Sequence, residues 1–367
     1  MAESRPPLPL NSQCALCKSE GTTLSRCKGC QISCYCSREH QTSDWPAHEA
    51  LCNPIKKTRN KLNAKFEELD NRPGDWMLAA HPFQSSAGHF WGLPDTRDYM
   101  RARFAHVEAL LKVPNNRSAV QTALGHLLDL LRLNRSDNMG LRQYVPALFL
   151  RLGKDQECYD FIKWWSTVPS QPDHDLHDLS QPHLDLRGAD VFEWMEDFNF
   201  NDTTYDLSHA VSLCLLKLRL LLDLQAVQNA AATIATRLPQ ELLDAVHAQM
   251  LSTVVKSNRA VMQDIEAGED LTPYVQKANL MALALFMTVQ DRNESYWQAL
   301  LDPAERLAAR PESYSTGSEA ETQLVVQQTY DAWAETPGAL AWVREQVERE
   351  QAESEQATCS DVEVIEA

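Results

Sequence analysis

Residues 14–52 read CALCKSEGTTLSRCKGCQISCYCSREHQTSDWPAHEALC. Four pairs of ligand-type residues follow one another in this stretch: Cys14-x2-Cys17, Cys27-x2-Cys30, Cys36-x3-His40 and His48-x3-Cys52. A two-residue gap lets both sulfurs of a tight turn point at one ion about 2.3 Å away, and a three-residue gap places two ligands on one helical face. Four such pairs suffice for two tetrahedral zinc ions. Seven of the ten cysteines fall between Cys14 and Cys52, whereas Cys158, Cys214 and Cys359 stand singly. A disulfide framework would need an oxidising compartment, and Met1 to Leu10 carries no apolar leader run. The cluster therefore reads as metal ligation, and the expected location is intracellular, cytoplasm or nucleus.

The string Tyr35-Cys36-Ser37-Arg38-Glu39-His40-Gln41-Thr42-Ser43-Asp44-Trp45-Pro46-Ala47-His48, closed by Cys52, resembles the MYND-type zinc finger over 39 of 367 residues. Ligand spacing and the intervening Tyr35-Cys36, Gln41 and Asp44-Trp45 agree with that family. The resemblance implies a cross-brace in which the first ion takes Cys14, Cys17, Cys36 and His40, and the second takes Cys27, Cys30, His48 and Cys52. His40 stands where most members have cysteine; zinc accepts imidazole as readily as thiolate. Cys34, two residues before Cys36, is the rival for that fourth position and otherwise reads as a spare buried thiol. Both sites would be closed by four protein ligands, so the ions would be structural rather than catalytic. So short a segment cannot bury enough apolar surface to fold alone, and metal binding would supply much of its folding free energy.

MYND modules as a family bind short proline-rich peptides of partner proteins, whose restricted backbone docks cheaply on an aromatic wall. The resemblance places Trp45 in that wall and Gln41 as the amide hydrogen-bonding group. Lys28 stands where some members have a serine contact. The chain's own Pro6-Pro7-Leu8-Pro9-Leu10 reads as a flexible, extended proline-rich tail over residues 1–13.

Outside the finger, composition excludes several classes. The 12 glycines never fall within three positions of one another, so no dinucleotide fingerprint or Walker loop can be written. Residues 1–60 hold 8 Lys/Arg against 5 Asp/Glu and the remainder 26 against 46, giving +3 and −20 of the total −17. So acidic a chain repels a polyanion, and no direct nucleic-acid partner is expected. The longest uncharged apolar run, Ala278 to Gln290, is far short of the roughly 20 residues a membrane span needs. Lys56-Lys57-Thr58-Arg59-Asn60-Lys61 resembles a nuclear import signal but reads more readily as a solvated helix start.

Leucine outnumbers isoleucine 47 to 6, which favours helix. The expected fold is mostly α: the finger at 14–52, a helix and linker at 53–95, an α-helical domain at 96–345, and an acidic disordered tail at 346–367. Periodicity predicts helices at Lys57–Leu69, Ser118–Leu133, Pro239–Met262, Pro273–Val289 and Glu319–Ala334. A further helix after Asp206 carries one apolar stripe through Leu207, Val211, Cys214, Leu215, Leu218, Leu221 and Leu222. Residues 137–162 read as helix, Gly153 turn, helix, similar to a single tetratricopeptide-type pair with Pro146 irregularly inside the first helix. Asp173-His174-Asp175-Leu176-His177-Asp178, between Pro172 and Pro182, reads as a polar loop without a site.

The function implied is a zinc-binding interaction adaptor or scaffold in transcriptional or signalling regulation. The alternative is a SET-like lysine methyltransferase carrying a MYND insert. It is disfavoured because no Asn-His dipeptide occurs and glycine is sparse; no nucleophile elbow or H-E-x-x-H is present either.

Overall fold

A computed structural model describes residues 3–21, 23–195, 198, 206–234 and 250–365. Among these the chain is predominantly helical, with one two-stranded sheet near its start, and it forms two compact units.

The first unit comprises Pro7–Leu152 and Lys163–Arg187. Strands β1 (Ser25–Arg26) and β2 (Cys34–Tyr35) pair antiparallel, with Ser25 opposite Tyr35 and Arg26 opposite Cys34. Helix α1 (Arg38–Asp70) starts at Ser37, whose hydroxyl oxygen accepts the His40 amide at 3.2 Å. The helix expected from Lys57 is thus the continuation of the helix that closes the finger. It buries His48, Cys52, Ile55, Leu62 and Leu69 at the three-, four- and seven-residue steps of one face. It does so despite Pro46 and Pro54 within it, each of which removes one amide from the ladder.

Between α1 and the next long helix, the proline- and glycine-rich segment forms tight turns and the short α2 (Pro82–Ser85). Asp75 organises one of those turns by accepting the amides of Met77 and Leu78, both at 2.8 Å. Helices α3 (Arg97–Leu111) and α4 (Arg117–Leu133) follow, α1 packing on α3 and α3 on α4. Phe66, Phe83, Phe90 and Tyr99 interlock beside them, with Phe66 stacked on Phe83 at 4.8 Å. Asn116 caps α4 by accepting the Ala119 amide at 2.9 Å. In α5 (Val145–Arg151), Pro146 lies in the first turn, where its missing amide costs nothing. It is therefore a helix starter, not the mid-helix irregularity the sequence suggested. Gly153, at φ +70°, makes the left-handed turn before α6 (Asp155–Thr167).

The second unit comprises Met1–Pro6, Gly153–Ile162 and Gly188–Ala367. Its axis is α7 (Leu207–Ile234). The expected stripe is present, but residues 207–221 are buried on every side, Lys217 and Arg219 included, as is Asp223, whereas Ala226 and Asn229 further on are exposed. A helix apolar nearly all round becomes a core rather than one layer. Its charges survive burial because they are paired. The Arg219 guanidinium grips Asp155 at 2.7 and 3.1 Å, and the Lys217 ammonium donates to the Val191 carbonyl and sits 4.8 Å from the Tyr159 ring centroid.

Of the helix expected at Pro239–Met262, residues 239–249 lie outside the described residues. The remainder forms α8 (Thr253–Ser257) and the start of α9 (Arg259–Ala267), capped by Ser252 and Asn258. Helix α10 (Thr272–Arg292) packs on α7, and Pro273 occupies its first turn as expected. The short α11 (Tyr296–Leu301) and α12 (Ala304–Ala308) lead to α13 (Glu319–Ala334) and α14 (Ala339–Ile365). Trp297 is the hub of this core, stacked on Phe286 at 4.8 Å and edge-on to Trp333 at 5.4 Å.

Two terminal segments differ from the sequence reading. Of the acidic stretch read as structureless over residues 346–367, the backbone as far as Ile365 is helical as part of α14; glutamate, glutamine and alanine are good helix formers. At the other end, the Arg5 amide donates to the Ala334 carbonyl at 2.7 Å. The Arg5 guanidinium pairs with Asp331 and covers the Tyr330 ring at 4.9 Å. The leading residues are thereby strapped to α13.

Candidate metal centre

Each C-x2-C pair sits in the same backbone knuckle. The Lys18 amide donates to the Cys14 carbonyl at 2.9 Å, and the Gln31 amide donates to the Cys27 carbonyl at 2.8 Å. In both, the residue after the second cysteine takes the left-handed conformation, Lys18 at φ 60° and Gln31 at φ 65°. Non-glycine residues there carry some strain, which closure of the knuckle offsets. The remaining ligand-type residues arrive from β2 and α1. Cys36 follows β2, His40 is in the first turn of α1, and His48 and Cys52 lie one turn apart further along it.

Two tetrads result, Cys14, Cys17, Cys36 and His40 in one and Cys27, Cys30, His48 and Cys52 in the other. The ligand atoms within each lie within 4.8 Å of one another. The four predicted pairs are thus interleaved two and two. Edge lengths test whether zinc fits. A tetrahedral ion with Zn–S near 2.3 Å and Zn–N near 2.0 Å requires S···S of about 3.8 Å and S···N of about 3.5 Å. Cys17 and Cys36 sulfurs are 3.7 Å apart, and Cys27 and Cys52 sulfurs 3.8 Å. His40 Nδ1 is 3.6 Å from the Cys14 sulfur, and His48 Nε2 is 3.6 Å from the Cys30 sulfur. Such separations are far beyond a disulfide's roughly 2.05 Å, and the described cysteines are all free thiols.

Electrostatics agrees with the geometry. Burial opposes ionisation of Cys14 and Cys27, yet the knuckle amides and the nearby histidine overcome it and bring both to about 6. Burial, reinforced by the neighbouring Cys30 and Cys27 sulfurs, pushes Cys52 up to about 12. Thiols packed this closely cannot all ionise in the bare protein, and a divalent cation at the centre removes that repulsion. The two Cys3His sites are therefore two structural zinc sites. The second tetrad is wholly buried, whereas Cys17 and Cys36 of the first are exposed.

Surrounding residues fix the ligands. Ser33 Oγ lies 3.4 Å from His48 Nδ1, which sets the ring so that Nε2 faces the sulfurs. The Tyr35 hydroxyl donates to Asp44 at 2.7 Å, tying β2 to α1. Burial and that acceptor raise the Tyr35 pKa, so the donor stays protonated. Gly29 makes room for the second site: a Cβ there would lie 2.6 Å from the Cys52 sulfur.

Cys34 belongs to neither tetrad. Its thiol points at the Ile32 carbonyl, 3.8 Å away, while its own carbonyl accepts the Ala15 amide at 2.8 Å and so braces the first knuckle. On α1, Gln41 is half-buried, and Trp45, one turn on, is 38% exposed. The Trp45 ring stands edge-on to His48 at 6.0 Å. Composition gave no hint of a cleft of about 560 Å³ in this unit, bordered by Lys18, Arg26, Asp44, Asn115 and Arg117.

No helix among the described residues is long and apolar enough to cross a membrane. The MYND finger family matches residues 14–52. The Rho GTPase-activating protein gacZ of Dictyostelium discoideum is 36% identical over 67 residues, 18% of this chain, which spans only 6% of that protein's length. No solved structure matches. With ligand spacing, tetrad geometry and family match in agreement, residues 14–52 of this chain are a MYND finger, a zinc-binding protein-interaction module.

Proposed function

We propose that the protein is an interaction adaptor or scaffold whose finger binds proline-rich segments of partner proteins through Trp45 and Gln41. In this reading the eight residues of the two tetrads are the zinc ligands. The carrying observation is the exposed Trp45 ring held edge-on to His48. Zinc that fixes His48 also fixes this aromatic surface, so a peptide meets a platform whose ordering cost has already been met. Gln41 lies one turn away on the same helical face, within reach of a bound peptide's backbone.

Four protein ligands at each ion leave no position for water or substrate, which favours binding over chemistry at the finger. The second unit would act as a partner-binding scaffold in the cytoplasm or nucleus. The test is Trp45→Ala in the full-length protein. Both zinc ions should remain by native mass spectrometry, while affinity for a proline-rich peptide falls by about 30-fold or more. Unchanged peptide affinity with zinc retained sinks the proposal.

A further inference from the structure

Helix α10 turns Ala278, Met281, Ala282, Leu285, Phe286 and Val289 into the core of the second unit. Its opposite face is apolar where a surface helix should be polar. Leu280 is 54% and Met287 47% exposed, Ala284 between them is exposed as well, and among the described residues nothing covers them. Charges of opposite sign close the two ends of this stripe: Lys277 two turns before Ala284 and Asp291 two turns after it. Trp194, 49% exposed, extends the apolar surface at the Lys277 end, its ring centroid 5.5 Å from the ammonium.

We propose that this face is a homodimer interface, α10 of one protomer packing antiparallel on α10 of a second copy about a two-fold axis at Ala284. An isologous interface must be its own complement, so a residue at one distance before the axis must suit its neighbour at the same distance after it. The stripe meets that condition to within one residue: Lys277 and Asp291 each stand seven positions from Ala284, Leu280 four before it and Met287 three after. Leu280 and Met287 lie on one side of the helix at nearly equal distances from Ala284, so the two-fold sets each Leu280 on the partner's Met287. Lys277 meets the partner's Asp291, and the pair occurs twice. Ala284, with only a methyl group, lets the helices approach at the crossing. A different protein would require no such reversal of charge about the middle of the stripe. Its extent suits an interface at or below the smaller specific class, under about 1,200 Å² in total, and hence a concentration-dependent dimer.

The experiment is sedimentation velocity on the zinc-loaded full chain over a roughly hundredfold concentration range reaching about 100 µM. Wild type should shift from monomer to dimer. Leu280→Glu with Met287→Glu should stay monomeric, with zinc content and helicity unchanged. Lys277→Glu alone and Asp291→Lys alone should each weaken the dimer about tenfold or more by setting like charges opposite each other. The double charge swap should restore it. A wild-type monomer at every concentration overturns the proposal, whether the stripe is then bare or covered by the chain's own residues 235–249. So does a dimer indifferent to the Leu280/Met287 change, or a double swap no better than the singles.

Discussion

His40 and Cys34 compete on paper for one place in the finger, and their surroundings separate them. His40 Nδ1 is 3.1 Å from the Cys36 sulfur, whereas the Cys34 thiol is turned to a backbone carbonyl. Native mass spectrometry should therefore find His40→Ala reduced to one tightly held zinc and Cys34→Ala still carrying two. A second residue-scale consequence concerns Asp223. Burial pushes its carboxyl up to about 6 although it accepts the Leu251 and Ser252 amides, both at 2.7 Å, and faces Arg219. The unfolded value is about 3.9, so the folded state holds this proton more tightly. The stability of the second unit should then fall as pH rises from about 4 to about 6 and level off above, by about 3 kcal/mol in all. Hydrogen exchange at α7 across that interval should show this slope in wild type and a flatter one in Asp223→Asn. Such residues were unequally legible in the sequence. The ligands announced themselves because tetrahedral coordination demands particular spacings. Asp223 sat unnoticed among leucines, because its burial depends on packing from distant parts of the chain.

Helix α1 joins what the sequence divided. Spacing revealed its ligands, and a separate apolar pattern revealed Leu62 and Leu69, but Pro46 and Pro54 obscured the continuity between them. The zinc ligands on its early turns and the buried face further on hold the intervening prolines in helix. The second tetrad also depends on a residue that no ligand pattern flags. At Gly29, a Cβ would lie 2.6 Å from the Cys52 sulfur, so Gly29→Ala must displace that ligand. The second ion's affinity should drop about tenfold or more in zinc-competition titration, with the first ion's unchanged. Among the other elements, α13 was legible to the residue from its periodicity, and α7 was found as a stripe though not as a core. Helix α3 escaped notice because its apolar residues are diluted by arginines, and α11 and α12 are too short to display a period.

The molecule divides its stability between two currencies. The finger leans on metal, whereas the second unit owns a core built on Trp297, Trp333, Tyr296 and Phe286. Chelator added at neutral pH should abolish amide protection through residues 14–52 while protection along α7 and α10 persists, as hydrogen exchange read by mass spectrometry can show. Zinc should leave in two phases, the first tetrad ahead because Cys17 and Cys36 are exposed while the second is wholly buried. The alternation of the two tetrads along the chain also sets an order of events during biosynthesis. Cys14, Cys17, Cys27 and Cys30 emerge from the ribosome together, four sulfurs able to satisfy a single ion by themselves. Neither native partnership can be completed until the first turns of α1 exist to deliver the imidazoles. Correct loading of both sites consequently waits on that helix.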